Sequence, residues 1–429
     1  LAAEREPKLL PEPRGGVPDV IDDLENYKRM CRAYAQADGP LAADAERASG
    51  FRYGQEDYLV QFKRQGAGIA LVDPVALAKA GGSWRDFDDA VGQAPWIIHD
   101  SRQDLPGFVE LGMTPRGLFD TELAARMLGL QHVGLAAVTE HYLGLSLAKE
   151  HSAADWSYRP LPRDWRNYAA LDVELLIELE EAMAKDLKEQ GKDEWARQEF
   201  DWLLVDGSKR KKHGEQPWRH ISRINVLRKD RRGLAIARAL WTRRDQLARE
   251  LDISPSLLLS DAAIIEAAMV KPRNGRQFRS IRSLNERVRM HTGGEQDKMF
   301  ERYAPIQRSV KPSVWSRTIL EALQEGEDQL PRPPKPRQEG EEGKGPRSMK
   351  VWKRHPARYQ CLSAARKAVA MIAQDTRTPS DIILKPQYLR DLCWTDEPER
   401  RDVSEFLSLE GARPWQVALV GESVSRAIM

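Results

Sequence analysis

The sequence predicts an α/β domain with a mostly central sheet flanked by helices, followed by one or two all-α helical bundles. Three observations predict it. Short apolar strand runs at 39–46, 57–63, 67–73 and 95–99 alternate with helical patterns. Strongly basic segments then lead into purely helical periodicity. A Pro/Gly/charge-rich stretch at 325–350 separates a last helical region of about 80 residues.

A chain of 429 residues is too long for one ordinary domain. Hydrophobic residues make up 41% and charged residues 31%, a balance that suits globular domains with a charged surface. No apolar run reaches the length of a membrane span, so no membrane partner is expected. No secretory signal is expected either. Cys31, Cys361 and Cys393 are scattered without a Cys-x-x-Cys, which argues against a disulfide framework or a zinc site and fits a cytoplasmic location. The net charge is only +2, yet 207–232 carries ten Lys/Arg against Glu215 and Asp230. Residues 271–290 carry seven more against Glu286. Such segregation suits one face for a polyanion and another for cations.

The expected elements run in order. Residues 1–20, rich in Pro, Gly and charge, read as a loose N-terminal arm. Leu24, Tyr27, Met30 and Tyr34 have helical spacing. After the four strands, helices are expected at 101–112, 120–128, 134–143 and 163–190, and the first domain, 21–205, ends there. A basic linker covers 206–217. A helical domain at 218–305 includes helices at 232–250, 261–270 and about 296–304. A linker covers 306–350, and a second helical domain covers 351–429. Gly66-Ala67-Gly68 reads as a hairpin turn, and Gly343-Lys344-Gly345 lacks a phosphate-loop pattern.

Several acids stand where carboxylates are costly. Asp44 and Glu46 are two apart in a strand run, so both point to one face. Taken alone, that pair reads best as a solvated strand face. Asp104 lies at the edge of the Leu105/Phe108/Leu111 stripe, where the helix dipole by itself explains an acid. Asp172 is sharper, because it interrupts the stripe Trp165, Ala169, Leu175/Leu176, Leu179 and Met183. Tyr168 precedes it by four and shares its face. A partner such as Arg126 or Arg159 is the alternative to a ligand role. Together, four hard oxygen ligands without a Cys/His cluster suit Mg²⁺ or Mn²⁺. Asp120 reads as a helix N-cap, and His99 as packing at the sheet edge. His132, His141 and His151 show no ligand spacing.

These segments resemble the tyrosine-type DEDD (DEDDy) exonucleases, specifically ribonuclease D. The resemblance rests on Asp44-Ala45-Glu46, then Phe51-Arg52-Tyr53 and Tyr58-Leu59-Val60-Gln61, then His99 through Leu105, then Tyr168 through Val173. Leu118 through Ala124 and Trp156 through Leu161 resemble ribonuclease D in particular. Asn167 stands where the sister class has His, so the tyrosine class is favoured, while Ala45 departs from the Thr expected there. The resemblance implies a ribonuclease H-like exonuclease core and a 3′→5′ exoribonuclease using two divalent ions, Mg²⁺ or Mn²⁺. It implies that Asp44 bridges both ions and that Glu46 and Asp172 hold the one carrying the attacking water. Asp104 would reach the second ion, and Tyr168 would orient the water. Products would be nucleoside 5′-monophosphates, and the partner RNA with a free 3′ end, such as tRNA precursors, with no obligate protein partner.

Residues 218–305 resemble the helicase-and-RNase-D C-terminal (HRDC) domain through Arg231 to Leu234, Leu240 to Asp245 and Asp252 to Leu259. Residues 351–429 resemble a diverged second copy, through Pro379, Ile382 to Leu384 and Gly411 to Gln416. Lys209, Arg210, Lys211, Lys212, Arg228, Lys229, Arg231 and Arg232 are the candidate phosphate contacts. The rival readings are the same chemistry on DNA, and an RNA-binding protein on a retired nuclease fold.

Overall fold

In the computed structural model, the structure describes residues 6–148, 153–210, 214–290, 295–333 and 344–429. Lys211, Lys212, His151 and Gly343 lie outside the described residues. The first domain contains β1 (Lys8–Leu10), β2 (Val20–Ile21), α1 (Leu24–Gln36), β3 (Leu41–Arg47), β4 (Asp57–Arg64) and β5 (Gly68–Val72). It continues with α2 (Pro74–Lys79), α3 (Trp84–Val91), β6 (Trp96–Ile98), α4 (Leu105–Leu111), β7 (Leu118–Asp120) and α5 (Thr121–Met127). It closes with α6 (Leu135–Leu143), β8 (Leu145–Leu147), α7 (Arg163–Glu174), α8 (Leu176–Glu189) and α9 (Asp193–Asp206).

Six strands form one mixed sheet in the order β2-β5-β4-β3-β6-β7. The β3–β4 and β4–β5 pairs are antiparallel, and β3–β6 and β6–β7 are parallel. The central strand β3 buries Leu41, Ala42 and Ala43 in succession, as a strand covered on both faces must. Gly66 and Gly68 take positive φ at the β4–β5 turn. The α1 helix starts at Asp23, whose side chain accepts from the Asn26 amide, and its stripe of Tyr27, Met30, Cys31 and Tyr34 is buried.

The helix expected over 163–190 is two helices that meet at the buried Leu175. The Lys63 ammonium donates to the Glu174 carbonyl and also pairs with the Glu174 carboxylate at 3.1 Å. A side chain bonded into the helical ladder at this carbonyl accounts for the break.

Residues 6–20, expected as a loose arm, are strapped to the domain. β1 pairs in parallel with β8, and β2 with β5. Glu12 pairs with Arg163 at 2.8 Å, Asp19 with Arg166 at 2.5 Å, and Arg14 with Glu178. The charges that suggested disorder have opposite charges waiting on α7 and α8. The expected linker at 306–350 also needs correction. A helix at Pro312–Gln324 packs along the long helix Arg231–Leu251 and buries Trp315, Ile319 and Ala322. Its apolar spacing was hidden by the flanking charge and proline.

The helical units dock on different elements of the first domain. Phe51, just after β3, stacks on Phe300 with centroids 4.4 Å apart, and its carbonyl accepts from the Ser254 amide at 2.8 Å. The last domain seats on α9, where Arg413 forks onto Glu199 at 2.6 and 3.0 Å and Trp415 Nε1 donates to it at 2.8 Å. Glu199 and Trp415 are buried. Glu199→Ala strands the Arg413 guanidinium in this interface. We expect a loss of about 3 kcal/mol in the stability of that junction, read by urea unfolding and by protease cleavage near residue 344.

Candidate active site

The sheet directs β3 into an open cleft of about 730 Å³. Asp44, Glu46, Asp104, Tyr168 and Asp172 all line it, so the structure brings together the five candidates for the chemistry. β3 contributes the first two from one face, the start of α4 contributes Asp104, and α7 contributes the last two. One carboxylate oxygen each of Asp44, Glu46 and Asp172 lies within 4.8 Å of the others. Asp104 adjoins Asp44 but stands outside that trio. Its side chain is bonded to Arg47 at 2.8 Å.

The acids strain against one another. Burial first, then repulsion from Asp104, Asp172 and Glu46, holds Asp44 well above the usual carboxylate range. Glu46 is raised for the same reasons, with Asp172 its strongest repelling neighbour. Burial pushes Asp172 up to about 7, against the hydrogen bond from Tyr168. Burial pushes Asp104 up to about 6, against Arg47. The alternative partners for Asp172 are spent elsewhere, Arg126 on Asp381 at 2.6 Å and Arg159 on Asp73 at 2.5 Å. A trio of hard oxygen donors with no covering cation at Asp172 among the described residues fits a divalent ion of the Mg²⁺ or Mn²⁺ class. Tyr168 is held protonated by burial and by the charges of Asp172, Glu46 and Asp44, so it stands as a neutral hydrogen-bond donor.

His99 shares a 2.8 Å contact between Nδ1 and Thr121 Oγ1, and burial lowers its pKa. Asp120 caps α5 by accepting from the Glu122 and Leu123 amides, and it also accepts from Ser101. Sequence reasoning missed Arg47, Asp100 and Glu122 in the cleft wall, and the buried Asp57 behind it. Nothing in their spacing sets them apart from ordinary surface charges. Among the basic candidates, Lys209, Arg228 and Lys229 are exposed. Arg210 pairs with Glu110 and donates to the Gln55 carbonyl at 2.8 Å. Arg231 and Arg232 clasp the end of the helix at 312–324, donating to carbonyls of Glu327 and Glu325 at 2.7 and 2.6 Å. Among the described residues no helix is long and apolar enough to cross a membrane.

Comparisons with known proteins agree with this geometry. Residues 18–188 match the 3′-5′ exonuclease family model, 233–295 the HRDC domain, and 345–428 a 3′ to 5′ exonuclease C-terminal domain. Ribonuclease D of Nitrobacter hamburgensis is 29% identical over 247 residues, which is 56% of this chain and 58% of that protein. Ribonuclease D of Sphingobium indicum is 30% identical over 191 residues, 44% of this chain and 48% of that protein. The match thus spans about half the length of these curated relatives. A crystal structure of a protein from Bifidobacterium adolescentis is 65% identical, with a TM-score of 0.93 over 99% of this chain and 100% of that one. Escherichia coli RNase D, 19% identical, shares the fold with a TM-score of 0.60 over 95% of this chain and 98% of that one. With a mixed-sheet core and helical domains behind it, the chain carries a 3′-5′ exonuclease domain and an HRDC domain and is similar to ribonuclease D.

Proposed function

We propose that this protein is a divalent-metal-dependent 3′→5′ exoribonuclease that removes nucleotides from RNA 3′ ends as nucleoside 5′-monophosphates. The observation that carries the reading is the meeting of Asp44, Glu46 and Asp172, from segments far apart in sequence, beside Tyr168 in one open cleft. Asp44, Glu46 and Asp172 would hold one ion, and Asp104 beside Asp44 would help hold a second. Bound there, the ions supply Lewis-acid charge on the phosphodiester and lower the pKa of an attacking water. The Tyr168 hydroxyl, whose proton goes to Asp172, would orient that water by accepting a hydrogen bond from it. Exposed Lys209, Arg228 and Lys229 hold RNA phosphates without reading sequence. Trimming of tRNA precursors and other stable RNA in the cytoplasm is the setting this reading suits.

A 5′-labelled single-stranded RNA should shorten stepwise from its 3′ end, with 5′-monophosphates as products. EDTA should stop the reaction and Mg²⁺ or Mn²⁺ restore it. Internal cleavage of a 3′-blocked RNA, or undiminished activity in EDTA, would overturn the proposal. A matched DNA oligonucleotide in the same assay separates RNA from DNA preference.

A further inference from the structure

Arg47 is a cation set inside the acidic cleft, and its surroundings are built. The pairing of β3 with β4 shifts register between Glu46 and Arg47. Glu46 faces Leu59, whereas Arg47 faces Asp57, so Tyr58 is skipped. Such irregularities re-aim a side chain. Here the shift sets Arg47 directly across from Asp57, whose side chain is fully enclosed. Among the described residues neither carboxylate oxygen of Asp57 accepts a hydrogen bond, and the Arg47 Nη1 lies 3.5 Å from Oδ1. A Cβ added at Gly107 in α4 would come within 2.1 Å of Asp57 Oδ2, so the seat has no slack. From that seat Arg47 Nη1 donates to the Gln103 carbonyl at 2.9 Å and to Asp104 Oδ1 at 2.8 Å.

We propose that Arg47, anchored by the buried Asp57, is a positioning residue that fixes Asp104 and so builds the second metal position. The inference rests on the two-ion reading given above. With Oδ1 committed to the guanidinium, Asp104 is held beside Asp44 and keeps its other oxygen for an ion. The Asp57 carboxyl faces the guanidinium from the side away from the cleft, so the arginine is held from behind as it orients the ligand. Groups that orient a metal ligand from behind are worth roughly 10- to 100-fold in affinity.

The test is Mn²⁺ binding to the full-length protein, followed by calorimetry and by electron paramagnetic resonance, without substrate. Wild type should take two ions and show a spin-coupled dimanganese signal. Arg47→Met should bind the first ion within about threefold of wild type and lose about tenfold or more at the second. Its coupled signal should be replaced by that of an isolated ion. Arg47→Lys keeps the charge but, being shorter, does not place its nitrogen where Nη1 meets Asp57, Gln103 and Asp104 together, and should follow Arg47→Met. Asp57→Asn, nearly isosteric, should weaken the second ion in the same direction. A second ion bound as tightly or more tightly in Arg47→Met would overturn the proposal, since a mere counter-charge to Asp104 predicts that result. Wild type that bound no Mn²⁺ would bring down the metal reading itself, and this one with it.

Discussion

Asp172→Ala is expected to lower nucleotide release by about a thousandfold or more, equivalent to roughly 4 kcal/mol of transition-state stabilisation. Asp172 sits on α7 within the trio that includes Asp44 and Glu46, and it accepts from Tyr168. On the proposed reading its removal takes away a metal ligand and the partner of the phenol together. The same change should leave the metal-free protein as stable as wild type or more so, because it deletes a half-buried carboxylate crowded by other acids. Release of 5′-monophosphates and thermal melting in EDTA, measured on the same preparation, read both effects. Full activity in the variant would show that the site has been misassigned. A lowered melting temperature in EDTA would show that Asp172 is structural.

The second large effect is on pH. Asp172 is raised to about 7 and Asp104 to about 6 in the folded protein, against ordinary values near 3.8. Between those limits the folded state holds more protons than the unfolded state. Stability of the metal-free protein should therefore be highest at the acidic end and fall as pH rises through that window. A divalent ion held as proposed would displace the same protons, so its affinity should climb with pH by up to about tenfold per unit for each proton released. We expect Mn²⁺ to raise the melting temperature strongly at about pH 8 and little at about pH 5. Equal metal-induced shifts at both ends would mean that these carboxyls are already ionised without metal.

Much of the site was legible because its signals are local. Asp44 and Glu46 sit two apart in a strand run, and alternation alone puts them on one face. Asp172 breaks an apolar helical stripe, with Tyr168 one turn earlier. The shared order of these segments with ribonuclease D then tied the acids to one chemistry. The hairpin at Gly66 to Gly68, the Asp120 cap and the helices at 231–251 and 261–270 also follow from short-range rules. Other features depend on partners far along the chain. The arm at 6–20 looked mobile by composition, yet Glu12 and Asp19 meet Arg163 and Arg166 about 150 positions away. The break at Leu175 answers to Lys63, which lies 111 positions before Glu174.

By itself the sequence determined the fold class, the five cleft residues and the helical character of the C-terminal half, because each follows from periodicity within a few residues or from ordered motifs. Only the tertiary structure decided that Asp104 is held by Arg47, that Asp57 anchors that arginine, and that Arg231 and Arg232 turn toward a helix end. Strand register, a one-residue irregularity and ion pairs across distant segments settle those points. None of them leaves a periodic trace, since their energies arise only after the chain has closed on itself.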